Sequence, residues 1–233
     1  MIHKNEKSIK GLICLTDESI PESWDDIIKE FTDANIYQTF SYAKVCYNKK
    51  NISTMLLKQK DNNLASSLTY IKKFPFLPFG IAYVRWGPLF RKSKNLSILH
   101  YSLALQSLIN EYVNRRRLSL RIRPFLFIDN QFEEYHNVLK RLGFVPLRFE
   151  QPETTFIIDL EKSVDELRKG LNGKWRNHLN KAEKNGLNIL SGKDEQLFDK
   201  FSPIHKELLQ KKKISGVKSV NIFKKIQSNL PND

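Results

Sequence analysis

Hydrophobic and polar residues follow two different periods along the first 160 residues. Apolar residues spaced three to four apart, as on one face of an amphipathic helix, predict helices over 21–31, 39–47, 96–113 and 132–142. Short apolar and β-branched runs bounded by turn residues predict strands over 11–16, 53–59, 64–73, 81–86, 118–124, 144–149 and 154–160. The order βααβββαβαββ requires helices on both faces of a sheet. We therefore predict an α/β fold with an α+β mixed sheet.

The pattern changes after residue 160, where helical periodicity and charge dominate. It predicts helices over 163–171, 174–185, 194–213 and 220–230, and one short strand over 187–190. So few strands cannot make a sheet. We therefore predict a first domain over residues 1–160 and a partial, mainly helical second domain over residues 161–233.

The charge balance of the chain is strongly basic. Its 233 residues include 39 Lys and Arg against 25 Asp and Glu, a formal net charge of +14. Residues 162–233 hold 16 of the basic and 8 of the acidic residues, so the positive charge is denser there. This balance favours a polyanionic partner, either nucleic acid, an anionic membrane face or a phosphorylated substrate. The alternative is a general lysine bias that makes solvated surfaces basic without any partner.

Cysteine, histidine and hydropathy patterns argue against several classes of protein. Two cysteines, Cys14 and Cys46, and no apolar stretch at the N-terminus argue against a secreted disulfide scaffold. His178 and His205 have no second ligand at a suitable spacing, so we predict no metal site. No run approaches the roughly 18 to 20 apolar residues of a membrane span. We expect a reduced, cytoplasmic protein that lies free or peripheral to the inner face of the membrane.

Several segments, taken in order along the chain, resemble one family. They are Tyr37–Val45, Arg85–Pro88, Leu142–Phe144, Thr155–Leu160 and Lys174–Leu187. Together they resemble the FemABX group of peptidoglycan bridge-forming aminoacyltransferases and the related FemAB-like acetyltransferases. That resemblance implies tandem domains of the GNAT acyltransferase fold. Residues 1–160 would form the first, and residues 161–233 the opening of the second, whose strands would follow Asp233; we therefore expect an incomplete second domain.

The resemblance also implies a reaction. Family members move an aminoacyl group from aminoacyl-tRNA, or an acyl group from acyl-CoA, to an amine of a cell-wall or cell-surface saccharide precursor. Such a reaction needs positioning and oxyanion stabilisation more than covalent machinery, and the sequence identifies no catalytic base. The expected partners are a phosphorylated precursor and tRNA, with no resident cofactor and no duplex DNA. The alternative is a non-catalytic binding module, or an inactive truncated remnant, that binds a phosphorylated ligand or tRNA through its basic surface.

The resemblance places candidate substrate-binding residues in both predicted domains. Lys44 lies where bridge-forming relatives carry a phosphate-binding lysine, and Arg85 opens the Arg-Trp-Gly-Pro segment. Lys218 takes the place of an arginine that relatives use for the precursor. Ile222 replaces the tyrosine that follows four residues later, so the planar fork and the hydroxyl are both lost here.

The other candidates lie in the predicted basic helix: Lys174, Arg176, Asn177 and Lys181. The lysines and the arginine share one side of this helix and are suited to a phosphate or a tRNA backbone. On the opposite side, Trp175, Leu179 and Ala182 predict a buried stripe. A solvated face of an ordinary amphipathic helix would show the same spacing.

Overall fold

A computed structural model describes residues 11–17, 23–76, 79–92, 98–129, 131–147, 156–192, 194–215 and 219–230. The chain divides into two compact units. The first comprises Met1–Val145 and Lys218–Asp233, and the second comprises Pro146–Val217. The second unit thus starts before residue 160, and the C-terminal segment belongs to the first unit. The domain limits drawn from the sequence stay a prediction.

The described part of the first unit is built on a five-stranded mixed sheet. Its strands are β1 (Leu12–Asp17), β2 (Ile52–Gln59), β3 (Asn62–Lys73), β4 (Gly80–Arg85) and β5 (Ser119–Arg123). They lie side by side in chain order. The first four pair antiparallel, whereas β5 pairs parallel to β4. The mixed α/β sheet predicted from the sequence is confirmed.

Four helices of the first unit lie at the places predicted from the sequence. They are α1 (Trp24–Lys29), α2 (Phe40–Cys46), α3 (Ile98–Leu108), which continues as a π-helix over Ile109–Arg115, and α4 (Phe132–Arg141). A 3-10 turn, Ile36–Gln38, precedes α2. The C-terminal helix α8 (Val220–Gln227) belongs to this unit as well.

Two hydrophobic clusters occupy opposite faces of the sheet within the described residues. Trp24 and Ile28 of α1 pack with Ile52 and Leu68. The larger cluster contains Met55 and Ile71 together with apolar side chains of α3 and α4, among them Tyr101, Leu105, Leu108 and Val138. Because side chains an odd number of residues apart in a strand point to opposite faces, Ile52 and Met55 mark the two sides. The sheet is therefore covered by helices on both faces.

The second unit is helical in its described residues. It contains α5 (Val164–Gly170), α6 (Gly173–Lys184) and α7 (Gln196–Lys211). Ser163 and Glu166 form a reciprocal capping box at the start of α5. Over 156–192 and 194–215 no side chain is fully buried.

The strands predicted over 144–149, 154–160 and 187–190 are not formed at their described positions. Residues 144–147, 156–159 and 187–190 have no regular secondary structure, and 148–155 lie outside the described residues. Phe156, Ile157 and Ile158 are exposed. An apolar run becomes a strand when a neighbouring strand accepts its backbone hydrogen bonds. The described pairings give these runs no such neighbour.

Candidate anion-binding site at the end of strand β4

A buried glutamine separates β3 from β4 at the carboxyl end of β4. The pairing of these strands ends at Thr69 and Val84. At the next position, the side-chain amide of Gln38 stands between the two backbones. Its Nε2 donates to the carbonyl of Arg85 (2.7 Å) and to that of Leu68 (3.3 Å), and its Oε1 accepts from the Leu68 amide (2.7 Å). The side chain thus replaces a strand partner and opens the sheet beside Arg85.

Two capping residues, Asn35 and Thr39, hold the 3-10 turn that carries this glutamine. Asn35 accepts a hydrogen bond from the backbone of Tyr37 and donates to the carbonyl of Trp86 (2.7 Å), which ties the 3-10 turn to the end of β4. Thr39 then caps α2 by accepting from the backbone of Tyr42. A Cβ on Gly87 would lie 3.0 Å from the side-chain amide of Gln38, so a larger residue here would press on the buried glutamine.

Arg85 lies in this opening with its charge unpaired. Its guanidinium carbon is 3.7 Å from the centre of the Tyr37 ring, and Nη1 makes a long contact of 3.5 Å with the Tyr42 hydroxyl. Its Nε is buried without a hydrogen-bond partner among the described residues. No described carboxylate lies within ion-pair distance of Arg85. Half-buried cations are normally paired, so this group is suited to an anionic ligand.

A second arginine increases the positive charge at this end of the sheet. Arg123 of β5 is the register partner of Arg85 across the parallel ladder, so both side chains leave the same face of the sheet. The backbone amide of Trp86 donates to the carbonyl of Arg123 (2.7 Å), which extends the pairing one residue past the strand. Two adjacent arginines of this kind attract phosphate more strongly than either does alone.

Aromatic rings surround the opening. Trp86 stacks on Phe125 with ring centres 4.9 Å apart and meets Tyr37 edge-on at 4.9 Å. On the other side, Tyr42 meets Tyr47 edge-on at 5.9 Å. Rings of this kind present flat apolar faces to a sugar or a base while the arginines contact its phosphate. The arrangement is therefore suited to a ligand that combines a phosphate with a flat or ring-shaped group.

Tyr42 keeps its proton at neutral pH. Burial raises the pKa of Tyr42 to about 12, and the nearby Arg85 guanidinium lowers it by less. The hydroxyl is therefore a neutral hydrogen-bonding group beside Arg85. It does not serve as a base at neutral pH.

Lys44, the other candidate of this unit, has different neighbours. Its ammonium donates to the side chain of Asn229 (2.9 Å) and lies 5.8 Å from the Phe40 ring centre. On the same helix, the hydroxyl of Ser41 donates to the backbone carbonyl of Asn229 (2.6 Å). Lys44 is exposed and contacts the segment that follows α8, whereas Arg85 contacts Tyr37 and Tyr42.

Among solved structures, this chain is similar to FemX. The TM-score is 0.68 at 18% sequence identity, over 91% of this chain and 54% of the FemX chain. The chain has the FemX fold. The resemblance inferred from the sequence is confirmed at the level of the fold, and the chain spans about half the length of FemX.

Two other solved structures align more weakly with this chain. A probable acetyltransferase aligns at TM-score 0.42 and 13% identity, over 63% of this chain and 98% of its own. An aminoglycoside acetyltransferase from an uncultured soil metagenomic sample, in complex with trehalose, aligns at 0.38 and 8%, over 65% and 99%. No protein-family model and no curated protein matches the sequence.

The candidate substrate-binding residues of the second unit lie on α6. Lys174, Asn177 and Lys181 are exposed. The guanidinium of Arg176 donates to the carbonyls of Lys169 (3.2 Å) and Leu171 (2.8 Å) and so holds the end of α5. The structure gathers these residues on one short helix, and their role in binding stays a prediction. Lys218 lies outside the described residues.

The buried stripe predicted for α6 is wrong. Trp175 is 62% exposed and Leu179 is 37% exposed. The described residues of this unit contain no sheet on which these side chains could pack, which accounts for their exposure. A basic helix with an exposed indole results.

Sequence reasoning missed Gln38 and Arg123. Gln38 lies inside the Tyr37–Val45 segment that resembles the family. Glutamine side chains are mostly exposed, so the sequence does not predict that this one is buried. Arg123 ends a predicted strand, and its proximity to Arg85 depends on the parallel register of β4 and β5. That register is a tertiary property that periodicity does not encode.

Metal sites and membrane-spanning helices were both sought among the described residues. Across the described ranges, no cluster of three or more His, Cys, Asp or Glu side chains is arranged to hold a metal ion. None of the helices in those ranges combines the length and the apolar character needed to cross a bilayer.

Proposed function

We propose that the chain acts in acyl transfer of the FemX type. It would move an aminoacyl or acyl group from aminoacyl-tRNA or acyl-CoA to an amine of a phosphorylated cell-wall or cell-surface saccharide precursor. The FemX fold over 91% of the chain supports the reaction class. The unpaired, half-buried Arg85 beside Arg123 is the observation that supports an anionic substrate.

We assign the following roles to the residues of this site. Arg85 and Arg123 would bind the phosphate of the precursor, with Arg85 oriented by the rings of Tyr37 and Tyr42. Trp86 and Tyr37 would flank its ring system. The neutral amine then attacks the donor carbonyl, a C–N bond forms, and the C–O or C–S bond to the donor breaks. The amine loses its proton to a base that no described residue is assigned to supply.

Binding can be tested without any transfer reaction. UDP-N-acetylglucosamine, a diphosphate-linked saccharide, is titrated by calorimetry into the chain and into the variants Arg85→Met and Arg85→Lys. Loss of a charge-assisted hydrogen bond predicts at least a roughly ten-fold weaker Kd for the methionine variant. We expect a smaller loss for lysine, which keeps the charge but not the fork.

Arg141→Met is the matched control, because Arg141 is exposed on α4 and far in sequence from β4. It should leave the Kd unchanged. Equal affinity of the chain and Arg85→Met would remove Arg85 from the site. An equal loss in Arg141→Met would reduce the effect to the overall charge.

Transfer is tested separately, because the chain spans 54% of FemX. The chain is incubated with radiolabelled aminoacyl-tRNA or acyl-CoA and with nucleotide-linked peptidoglycan precursors. Label in the precursor supports the enzyme. Binding without label in any combination favours the alternative, a non-catalytic module.

That alternative has its own supporting observation in α6. Lys174, Lys181 and Trp175 are all exposed there, as expected for a surface that contacts the RNA backbone and stacks on a base. Binding of tRNA by such a surface should weaken steeply with salt. A log–log salt slope near zero would argue against it. Contact with an anionic membrane and a cytoplasmic location stay expectations.

A further inference from the structure

A basic pocket lies at the opposite end of β4 from Arg85. It has a volume of about 280 Å³ and is lined by the cations Lys50, Lys73, Arg115 and Arg116. These come from the segment before β2, the end of β3 and the end of the π-helix. Three separate elements therefore direct positive charge into one concavity.

The charge of this pocket is incompletely neutralised. The buried carboxylate of Glu111 pairs with both Arg115 and Arg116. Burial acts to raise the pKa of Glu111, but hydrogen bonds from the two arginines outweigh it, so the net pKa is lowered and the carboxylate stays ionised. No ion pair joins Lys50 or Lys73 to a described carboxylate. An excess of positive charge remains for an external anion.

Aromatic residues follow Lys73 of the pocket along the chain. Lys73 pairs with Gly80 at the last position of the β3–β4 ladder, so the turn between these strands starts at the pocket rim. Phe76 on this turn is fully exposed, with a φ of 65° that is uncommon for an aromatic residue. The rings of Phe74 and Phe79, on either side of Phe76 in the chain, pack against each other with centres 5.6 Å apart.

We propose that this end of the molecule docks on an anionic phospholipid membrane. The pocket takes the phosphate of a lipid headgroup, and the aromatic turn with Phe76 enters the boundary between headgroups and acyl chains. A concave set of cations adjoining an exposed phenylalanine matches such a surface in both charge and polarity. A nucleic acid backbone would instead require an extended basic groove. This inference is independent of the proposed acyl transfer, because it uses neither Arg85 nor α6.

Co-sedimentation with vesicles tests the inference on the full chain. Vesicles of equal parts phosphatidylglycerol and phosphatidylcholine are compared with vesicles of phosphatidylcholine alone. We expect binding to the anionic vesicles and little to the neutral ones. Lys50→Gln/Lys73→Gln should weaken it by about twenty-five-fold, since each basic residue near an anionic surface contributes about five-fold. Phe76→Ser should weaken it by about ten-fold through lost apolar burial.

Matched controls separate the site from general charge and hydrophobicity. Lys200→Gln/Lys206→Gln removes two exposed lysines of α7, and Leu99→Ser removes an exposed apolar side chain of α3. Both should bind as the unchanged chain does. Circular dichroism checks that every variant is folded.

Three outcomes would overturn the inference. The first is no binding to anionic vesicles, or binding that the lysine pair and Phe76→Ser leave unchanged. The second is binding of glycerol 3-phosphate by a chain that does not bind the anionic vesicles, which would assign the pocket to a soluble phosphate. The third is tRNA binding that both variants abolish in the absence of vesicle binding, which would assign this end to RNA.

Discussion

At the scale of single residues, the candidate site depends on Gln38. Its amide satisfies the backbone groups of Leu68 and Arg85 that β3 and β4 leave unpaired where they separate. Trp24 in turn donates from its indole to the backbone carbonyl of Gln38 (2.7 Å). A polar side chain that is fully buried and fully bonded fixes one geometry of the backbone. Gln38 is therefore a positioning residue for Arg85.

Gln38→Leu should destabilise the first unit by about 3 kcal/mol. The leucine fills most of the space but leaves two carbonyls and one amide of the opened sheet without partners, and each costs roughly 1–3 kcal/mol before relaxation. Urea unfolding followed by tryptophan fluorescence measures the change. Gln106→Leu, on the exposed side of α3, should shift the midpoint very little. Equal midpoints for the two variants would contradict the role of Gln38.

The sequence predicted Arg85 and Lys44 as candidates, but not what surrounds them. Both lie in segments that resemble the FemABX group, so the likeness was sufficient to select them. That Arg85 lacks a counter-charge and that Lys44 is directed at Asn229 depend on contacts between residues distant in the chain. Periodicity describes which face of an element is apolar and contains no information about such contacts.

At the scale of secondary structure, α8 packs within the first unit. The helix itself was predicted, over 220–230, but as part of the second domain. In the structure Val220 and Ile226 are buried, and α8 packs on α2 in the first unit. A helix with an apolar face packs on whichever surface accepts that face, and sequence order does not decide which one.

Ile226→Ala should release α8 from α2. Removal of a buried isoleucine side chain costs about 2–4 kcal/mol, which is more than a helix of eight residues can offset by itself. Hydrogen exchange followed by mass spectrometry should show lost protection over 220–227 while β2 and β3 keep theirs. The exposed Phe223 provides the matched control, Phe223→Ala. Retained protection in Ile226→Ala would contradict this packing.

At the scale of the whole molecule, the described hydrophobic cores belong to the first unit. Both clusters draw their buried residues from within Met1–Val145. Over 156–192 and 194–215 the second unit buries no side chain completely. Its α5 and α6 are joined by the exposed ion pair of Arg168 with Glu183 and by a hydrogen bond from Arg168 to Asn180 (2.8 Å). Exposed pairs of this kind contribute little stability.

The two units should therefore differ in hydrogen exchange. Amides of α5, α6 and α7 should exchange much faster than those of β2 and β3, because opening them exposes little apolar surface. Exchange measured by mass spectrometry in native buffer gives both rates in one experiment. Protection of α6 equal to that of β3 would contradict the difference.

Strand β4 fixes the distance between the basic pocket and Arg85. Arg85 ends this strand and Gly80, beside the Lys73 rim of the basic pocket, begins it. A strand of this length spans roughly 17 Å and does not stretch. Seated on a membrane by its pocket, the chain would hold Arg85 at a fixed height above the lipid phosphates. An acceptor anchored in that membrane would then have to extend the same distance to contact Arg85. The length of the acceptor, as well as its charge, would then decide whether it binds.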